Sequence, residues 1–381
     1  MEQTGIKCTF MRGGTSKGMF FRWEDLPSDP GERDGFLCAA IGSPDPYGRQ
    51  LDGMGGGISS LSKGMMVRRS ERAGVDVDYL FGQIDVASAR VDYASNCGNL
   101  SAAVGAFAVD QGLVQVPDGP ATVRMFNENT AKRIDCHLTV RDGRAAITGD
   151  QVIAGVAGQG SAIRLDFLDP GGARTTTILP TGEPAKSLDL ERGPFRISFV
   201  DAANPCVFMD ARELGCTAQE LPSDLSENGP ALGLLEEIRL WAGRDWDEWA
   251  YPHPVFRGAA SAPKIAIVGP PADCAMLSGE TLKAGDCDIQ VRMISMGKPH
   301  LAIPLTGAMC TAVAARIPGT VVAEAARQVP DGQPLRIGTP SGVVPAMAEV
   351  DLSEKTPHAI SASVYRTART LMEGIVYATT R

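Results

Sequence analysis

The chain is poor in the residues and spacings that build metal and disulfide frameworks. Its 381 residues include four histidines and nine cysteines. The thiols stand at positions 8, 38, 97, 136, 206, 216, 274, 287 and 310, an odd total with no C-x-x-C pair. A chain of this length can bury a sizeable core without cross-links, so a disulfide framework is not expected. His137, His253, His300 and His358 are dispersed and form no H-E-x-x-H or paired Cys/His spacing, so no metal is expected. No apolar run approaches the roughly 20 residues that span a bilayer, and the start MEQTGIKCTF lacks the basic and apolar regions of a signal peptide; the expected location is cytoplasmic. A net charge of −9 argues against a nucleic-acid surface, while leaving room for a local basic site that takes a small polyanion. Neither G-x-S-x-G nor a Ser/His/Asp grouping is visible, which weighs against a hydrolase.

What the chain has in abundance is glycine and proline, 43 and 26 residues, which cut it into short segments. In the first half IKCTFM, MFFRW, MMVRRS, VDVDYLFGQIDV, ATVRMF, RIDCHLTV, AAITGD, AIRLDFL and RTTTIL read as strands. Against them, Cys97 to Asp110 reads as a helix of small apolar residues closed by Gly112, buried and wrapped by the strands. After a polar stretch from Pro180 to Pro194, taken as a linker, the plan repeats. Strands are expected at FRISFVDA, PCVFMDA, KIAIVG, DIQVRMISM, LRIGTP and VVPAMAEV, and a second small-residue helix at Leu305 to Ala315, closed by Pro318-Gly319. The pattern suggests an internal duplication. Glu32–Ile41 and Ala231–Trp241 read as amphipathic helices packed outside the domains, and the C-terminal AISASVYRTARTLMEGIVYAT as two strands.

Several segments carry groups suited to chemistry. In Asn96-Cys97-Gly98-Asn99 a cysteine stands where a helix begins, beside backbone N–H groups that favour an anion. Arg12-Gly13-Gly14-Thr15-Ser16-Lys17 joins fixed positive charge to free N–H groups and two hydroxyls, as a carboxylate-binding or phosphate-binding loop requires, but not in P-loop order. The glycine-rich stretch Gly53 to Gly57 can approach a ligand closely and leads through Ser59 and Ser60 to Lys63, at the edge of the apolar strand GMMV. It contains no dinucleotide fingerprint, and no cofactor is expected. Met296-Gly297-Lys298-Pro299-His300 offers two further cations ahead of the second helix, whose start at Thr306 and Gly307 supplies N–H donors.

Taken together, MRGGTSKG, GSPDPYGRQLDGMGGGISSLSK, NCGN, MGKPH and RTARTLMEG resemble the 2-methylaconitate isomerase (PrpF) family, with relatives in methylitaconate isomerase and 4-oxalomesaconate tautomerase. The resemblance runs from about residue 6 to residue 376. It implies an α+β, diaminopimelate-epimerase-like fold: two pseudo-symmetric domains, each a barrel-like β-sheet around a central α-helix. These are expected at 1–186 and 187–381, with the active site in the cleft between them. It places the catalytic lysine on Lys63 and the catalytic cysteine on Cys97.

Epimerases of this fold carry a second cysteine at the start of the other central helix, whereas here that stretch reads Pro304-Leu305-Thr306-Gly307 and Cys310 lies a turn further in. A one-lysine, one-cysteine site favours an allylic proton shift over racemisation. The implied reaction is a cofactor-independent 1,3-proton transfer that moves a C=C bond in an unsaturated di- or tricarboxylate. An aconitate-like substrate leads, with 4-oxalomesaconate and methylitaconate as alternatives. Substrate contacts are expected from Arg12, Gly14, Thr15, Ser16, Lys17, Ser59, Ser60, Asn96, Gly98, Asn99, Lys298, His300, Thr306 and Gly307. A non-catalytic accessory protein that binds a dehydratase or its product is the alternative of another class, and the presence of both Lys63 and Cys97 argues against it. The partner is a small polycarboxylate, with no nucleic acid or membrane; whether the chain forms a homodimer is open.

Overall fold

The computed structural model describes residues 3–379, apart from 94–95, 154, 176, 245–261 and 296. The chain divides into two compact units, Met1–Leu165 with Tyr365–Arg381, and Asp166–Val364. In the first, β1 (Thr4–Gly13) and β2 (Ser16–Arg22) form an antiparallel hairpin. β2 lies parallel to β3 (Lys63–Arg69), which is antiparallel to β4 (Val77–Ile84). Strand Gly119–Asn127 lies parallel to β4, Lys132–Arg141 antiparallel to that strand, and the C-terminal strand Ala368–Ala378 returns to pair antiparallel with β1.

The strands alternate side chains between two apolar layers. On one face Cys8, Phe10, Met19, Phe21 and Met66 pack with Phe36 and Leu37 of the helix α1 (Pro30–Ile41). That helix starts where Asp29 accepts the Glu32 N–H and ends at Gly42, whose φ of 86° few other residues tolerate. On the other face lies α2 (Gly98–Asp110), in which only Asn99 and Asp110 escape burial. Phe20 meets Phe107 of α2 at 5.6 Å between ring centroids, and Thr9 accepts a hydrogen bond from Gln111 at its end. The small residues of α2 are a packing requirement: a β-carbon on Gly105 would stand 2.5 Å from the Cys136 sulfur on the surrounding sheet.

In the second unit Lys186–Leu190, Gly193–Ala202 and Asn204–Asp210 are successively antiparallel. Lys264–Gly269 lies parallel to Asn204–Asp210, Ile289–Ser295 antiparallel to it, Leu335–Thr339 parallel to Ile289–Ser295, and Gly342–Asp351 antiparallel again. This succession of orientations is that of the first unit. The helix Leu305–Ala315 takes the place of α2 in the order of elements, and Gly229–Arg244 the place of α1. The duplication expected from the sequence is therefore present in the strand pairing itself.

Four expectations differ from the structure. The division falls at Leu165/Asp166 with a C-terminal return, rather than at 186/187, because the last strand completes the first unit's sheet. The stretch 180–194 contains strand Lys186–Leu190, paired with Gly193–Ala202, and is not merely a linker. RTTTIL forms no strand among its described residues, and AAITGD contributes only to the two-residue strand Arg144–Ala145. Among the described residues there is no cluster of His, Cys, Asp and Glu able to hold a metal ion, and no helix long and apolar enough to cross a membrane.

Candidate active site

Lys63 is the first residue of β3 and its side chain is on the α2 side of the sheet, 7% exposed. Its Nζ donates to Gln83 Oε1 on the paired strand at 2.5 Å and lies 4.8 Å from the centroid of the Phe81 ring. Gln83 in turn donates through Nε2 to the carbonyls of Ser59 and Ser62, at 3.0 and 2.9 Å. One side chain thus fixes the 3-10 turn Ser59–Leu61 and the lysine that follows it. The ammonium has two neutral partners, an amide oxygen and a π-face.

The glycine-rich loop before Lys63 packs on its own chain. A β-carbon on Gly53 would stand 2.2 Å from the Gly42 nitrogen, and one on Gly55 2.2 Å from Gln50 Oε1. Buried Gln50 accepts from the Gly57 N–H and the Ser62 hydroxyl, at 2.8 and 2.6 Å, and donates to the Ser43 hydroxyl at 2.9 Å. The glycines therefore allow the loop to close on itself and on the end of α1. Ser59 is exposed and Ser60 half-buried.

Cys97 is the N-cap of α2, 8% exposed, with no side-chain cap hydrogen bond. The N–H groups of Gly98, Asn99 and Leu100 consequently have no acceptor within the helix and are available to an anion. The Cys97 sulfur lies 3.9 Å from the Ser16 hydroxyl, and its carbonyl accepts from the Ser101 N–H and hydroxyl at 3.0 and 3.1 Å. Beneath this turn, Asn127 Nδ2 donates to the Tyr79 hydroxyl at 2.8 Å, and that hydroxyl is 2.8 Å from Ser101 Oγ. Burial holds the Tyr79 phenol well above its ordinary pKa, so it remains a neutral strut under the cysteine. Asn96 is half-buried beside it.

The tip of the β1–β2 hairpin closes on the same helix start. Gly13 pairs with Ser16 across the two-residue turn Gly14-Thr15, and Gly14 has φ 48°. A β-carbon on Gly13 would stand 2.5 Å from the Asn99 carbonyl, one on Gly14 2.3 Å from Asn99 Oδ1, and one on Gly18 2.7 Å from the Lys63 carbonyl and 3.0 Å from Leu100 Cδ1. Glycine at these positions lets the hairpin, Lys63 and the first turn of α2 meet. Asn99 Nδ2 donates to Thr15 Oγ1 at 3.1 Å.

Strand alternation separates the predicted cations from this cluster. Arg12 is opposite both Lys17 and Arg369 in the ladder, and all three belong to the face away from α2, with Lys17 Nζ 5.8 Å from the Phe10 ring centroid. Arg12 Nη1 donates to the carbonyls of Gly14 and Thr367, both at 3.0 Å, and burial together with the charge of Arg369 lowers its pKa. The structure brings Ser16, Lys63, Cys97, Gly98 and Asn99 to one side of the sheet and leaves Arg12 and Lys17 on the other. The sequence reading gave no role to Gln83, Tyr79 or Arg366, although Arg366 opens the RTARTLMEG segment that carries part of the resemblance. Strand register, and the fold that carries residue 366 to the start of α2, show where they act.

In the second unit, Lys298 is exposed and opens a two-residue strand after Gly297, while Met296 of the same motif lies outside the described residues. His300 Nδ1 accepts the Ala302 N–H at 3.1 Å. Burial, with the charge of Lys264, pushes its pKa down to about 4, so His300 is neutral at pH 7 and is not the cation the sequence suggested. Thr306 and Gly307 lie in the first turn of helix Leu305–Ala315, which also lacks a side-chain cap. Gly307 is required by packing, since its β-carbon would stand 2.6 Å from the Met293 sulfur. Cys310 is a core thiol donating to the Val200 carbonyl at 3.2 Å, and burial raises its pKa well above the ordinary value. Lys264, at the start of its strand, donates to Ser295 Oγ at 3.2 Å across the ladder, the same arrangement as Lys63 and Gln83.

Comparison with known proteins assigns this geometry to a lineage. A family described as "PrpF protein" matches residues 3–379. The chain is 40% identical to the 2-methyl-aconitate isomerase of Shewanella oneidensis over 98% of this chain and 97% of that protein. It is 38% identical to the 3-methylitaconate isomerase of Eubacterium barkeri (99% and 98% covered) and 37% identical to the (4E)-oxalomesaconate Delta-isomerase of a Novosphingobium species (97% and 96%). The crystal structure of methylitaconate-delta-isomerase superimposes with a TM-score of 0.86 at 37% identity, covering 99% of this chain and 96% of that one. A hydroxyproline epimerase from Agrobacterium vitis superimposes with a TM-score of 0.54 at 13% identity, covering 98% and 92%, a likeness of fold alone. The diaminopimelate-epimerase-like fold expected from the sequence is the fold of this chain.

Proposed function

The chain belongs to the PrpF family of isomerases, and from that premise we propose that it moves a C=C bond within an unsaturated di- or tricarboxylate by 1,3-proton transfer. The observation that carries the proposal is a buried ammonium with only neutral partners, Lys63, on the same side of the sheet as a cysteine at an uncapped helix start, Cys97. One of the pair removes a proton from the carbon beside a carboxylate, and the other returns a proton at the far end of the allylic system. The bond order shifts between them with no change of oxidation state. The N–H groups of Gly98, Asn99 and Leu100 supply donors for the enolate-like charge that develops between the two transfers. Ser16, beside the cysteine sulfur, and Thr15 with Asn99 line the approach to that helix start.

The second unit's own candidates for a carboxylate are Lys298 as charge, neutral His300 as a donor through Nε2–H, and the helix start at Thr306 and Gly307. Arg12 and Lys17, on the far face of the hairpin tip, set the potential around it. An aconitate-like tricarboxylate is the leading substrate, in keeping with the relative at 40% identity; oxalomesaconate and methylitaconate follow from the other relatives. We place the reaction in the cytoplasm, where nine cysteines that form no disulfide are chemically at home.

The test is solvent-deuterium uptake. Purified protein in deuterium oxide is given 2-methylaconitate, cis- and trans-aconitate, methylitaconate and 4-oxalomesaconate, and proton NMR follows both label and double-bond position. Uptake at the allylic carbons of one substrate, with a new isomer appearing, is expected. No uptake into any of them overturns the proposal.

A further inference from the structure

Arg366 is a buried cation without an acid. It ends strand His358–Arg366, is 7% exposed, and takes no part in the sequence motifs read as substrate-binding. Its Nε donates to Asn99 Oδ1 at 3.1 Å and Nη1 to the Tyr365 carbonyl at 2.8 Å. No Asp or Glu among the described residues pairs with it, and burial alone pushes its pKa down to about 10, which leaves it charged at pH 7. Neutral acceptors offset only part of the cost of removing a guanidinium from water, so a folded chain that keeps one here lacks a counter-ion. The surroundings are built for an anion. Arg366 Cδ and Asn99 Oδ1 both crowd the position where Gly14 lacks a β-carbon, at 3.0 and 2.3 Å. The Asn99 amide, its oxygen fixed by Arg366, turns its Nδ2 to Thr15, and the uncapped helix start of Gly98 and Asn99 lies beside it.

We propose that Arg366 is the counter-charge for a carboxylate of the substrate, held at the junction of the Gly14-Thr15 turn and the N-terminus of α2. Bound there, the carboxylate neutralises the buried guanidinium and accepts from the helix N–H groups, while Asn99 links the two. Arg12 and Lys17 at the hairpin tip, and Arg369 opposite Arg12, face the other way, and Arg366 replaces them as the charge that selects for an anionic substrate. The inference rests on the reading of this site as one that takes a polycarboxylate.

Binding is measured with tricarballylate, a saturated tricarboxylate with no double bond to move, by calorimetry on the full chain at low salt, with its neutral triamide as control. The wild type binds the acid and not the amide; Arg366→Gln binds at least about tenfold more weakly, as for loss of one charge-assisted hydrogen bond, and Arg366→Lys falls between. Asn99→Asp supplies an internal carboxylate to Arg366: it raises Tm without ligand and weakens tricarballylate binding by a similar factor. It serves if Arg366→Gln fails to fold. Wild-type affinity in either Arg366→Gln or Asn99→Asp, or no binding to the wild type, overturns the assignment. Deuterium uptake by the wild type separates the two readings. Uptake with unchanged binding in Arg366→Gln sinks the arginine alone, and Arg366-dependent binding without uptake sinks the reaction alone.

Discussion

Lys63 and Gln83 are directly opposite each other in the β3–β4 ladder, and the lysine ammonium donates to the amide oxygen of its cross-strand partner at 2.5 Å. Gln83 is the acceptor that aims Lys63, so Gln83→Met leaves a buried ammonium against the Phe81 ring alone. The expected result is a fall in kcat of about tenfold with KM nearly unchanged, and a stability loss of about 1–3 kcal/mol from the unsatisfied donor. Steady-state kinetics with urea unfolding measure both. A KM effect with intact kcat would show Gln83 acting on substrate instead.

Lys63→Met and Cys97→Ala each remove one of the two groups proposed to transfer the proton. Each lowers the isomerisation rate by about 10²–10⁴-fold while the chain stays folded, since Lys63→Met nearly preserves volume and Cys97→Ala removes a single buried atom at a cost of about 1 kcal/mol. A variant that still moves the double bond at the wild-type rate removes its residue from the mechanism.

Gly18 and Gly35 make a matched pair. A β-carbon at Gly18 meets the Lys63 carbonyl at 2.7 Å, whereas one at Gly35, inside α1, meets nothing within 4 Å. Gly18→Ala costs about 1–3 kcal/mol and lowers activity, because backbone at Lys63 must move. Gly35→Ala stabilises by about 0.5–1 kcal/mol through the unfolded chain and the helix, with activity unchanged. Thermal melts of the two variants in one buffer decide it.

Asp201 is fully buried in the second unit, with Oδ2 accepting the N–H groups of Arg174 and Thr175, and Oδ1 without a partner. Burial raises its pKa to about 6, against the offsetting bonds. A folded-state value above the unfolded one means that the native state binds the proton more tightly. Its contribution to stability is therefore full below about pH 4 and is lost as pH rises through 6. The contribution is about 3 kcal/mol. Wild-type stability should fall between pH 5 and pH 7.5 more steeply than that of Asp201→Asn in parallel urea titrations. Equal slopes would assign the titration elsewhere.

Cys310→Ala tests the number of thiols the reaction needs. Its sulfur is in the core of the second central helix, bonded to the Val200 carbonyl, and not at the helix start. The rate of double-bond movement should be unchanged and stability reduced by about 1 kcal/mol. A loss comparable to that of Cys97→Ala would restore a two-cysteine mechanism.

Much of the fold was legible because its signals are local. The helix Leu305–Ala315 has the bounds its run of small residues predicts, and α2 begins one residue after the predicted start, since Cys97 is its cap. The C-terminal pair of strands was legible from β-branched and aromatic content. The strand Lys186–Leu190 was not legible because its polar residues, Lys186, Ser187 and Asp189, carry little strand propensity although its partner Gly193–Ala202 follows directly; the return of Ala368–Ala378 to β1 was not legible because partners far apart in sequence leave no trace in either segment alone.

The site divides along the same line. The placement of Lys63 at the edge of a strand and of Cys97 at a helix start, and the lack of a cysteine in Pro304-Leu305-Thr306-Gly307, could be read from the sequence because each is a property of a few consecutive residues. Which face of the hairpin carries Arg12 and Lys17, which acceptor holds Lys63, and which cation reaches the start of α2 are consequences of strand register and of a chain that returns more than 200 residues later. A one-residue difference in register turns a side chain to the opposite face. The sequence alone therefore determined which reactive side chains this protein carries and the local elements that hold them, and only the tertiary structure decided that Gln83 meets Lys63 and that Arg366, rather than Arg12 or Lys17, reaches the start of α2, because both contacts join segments distant in the chain.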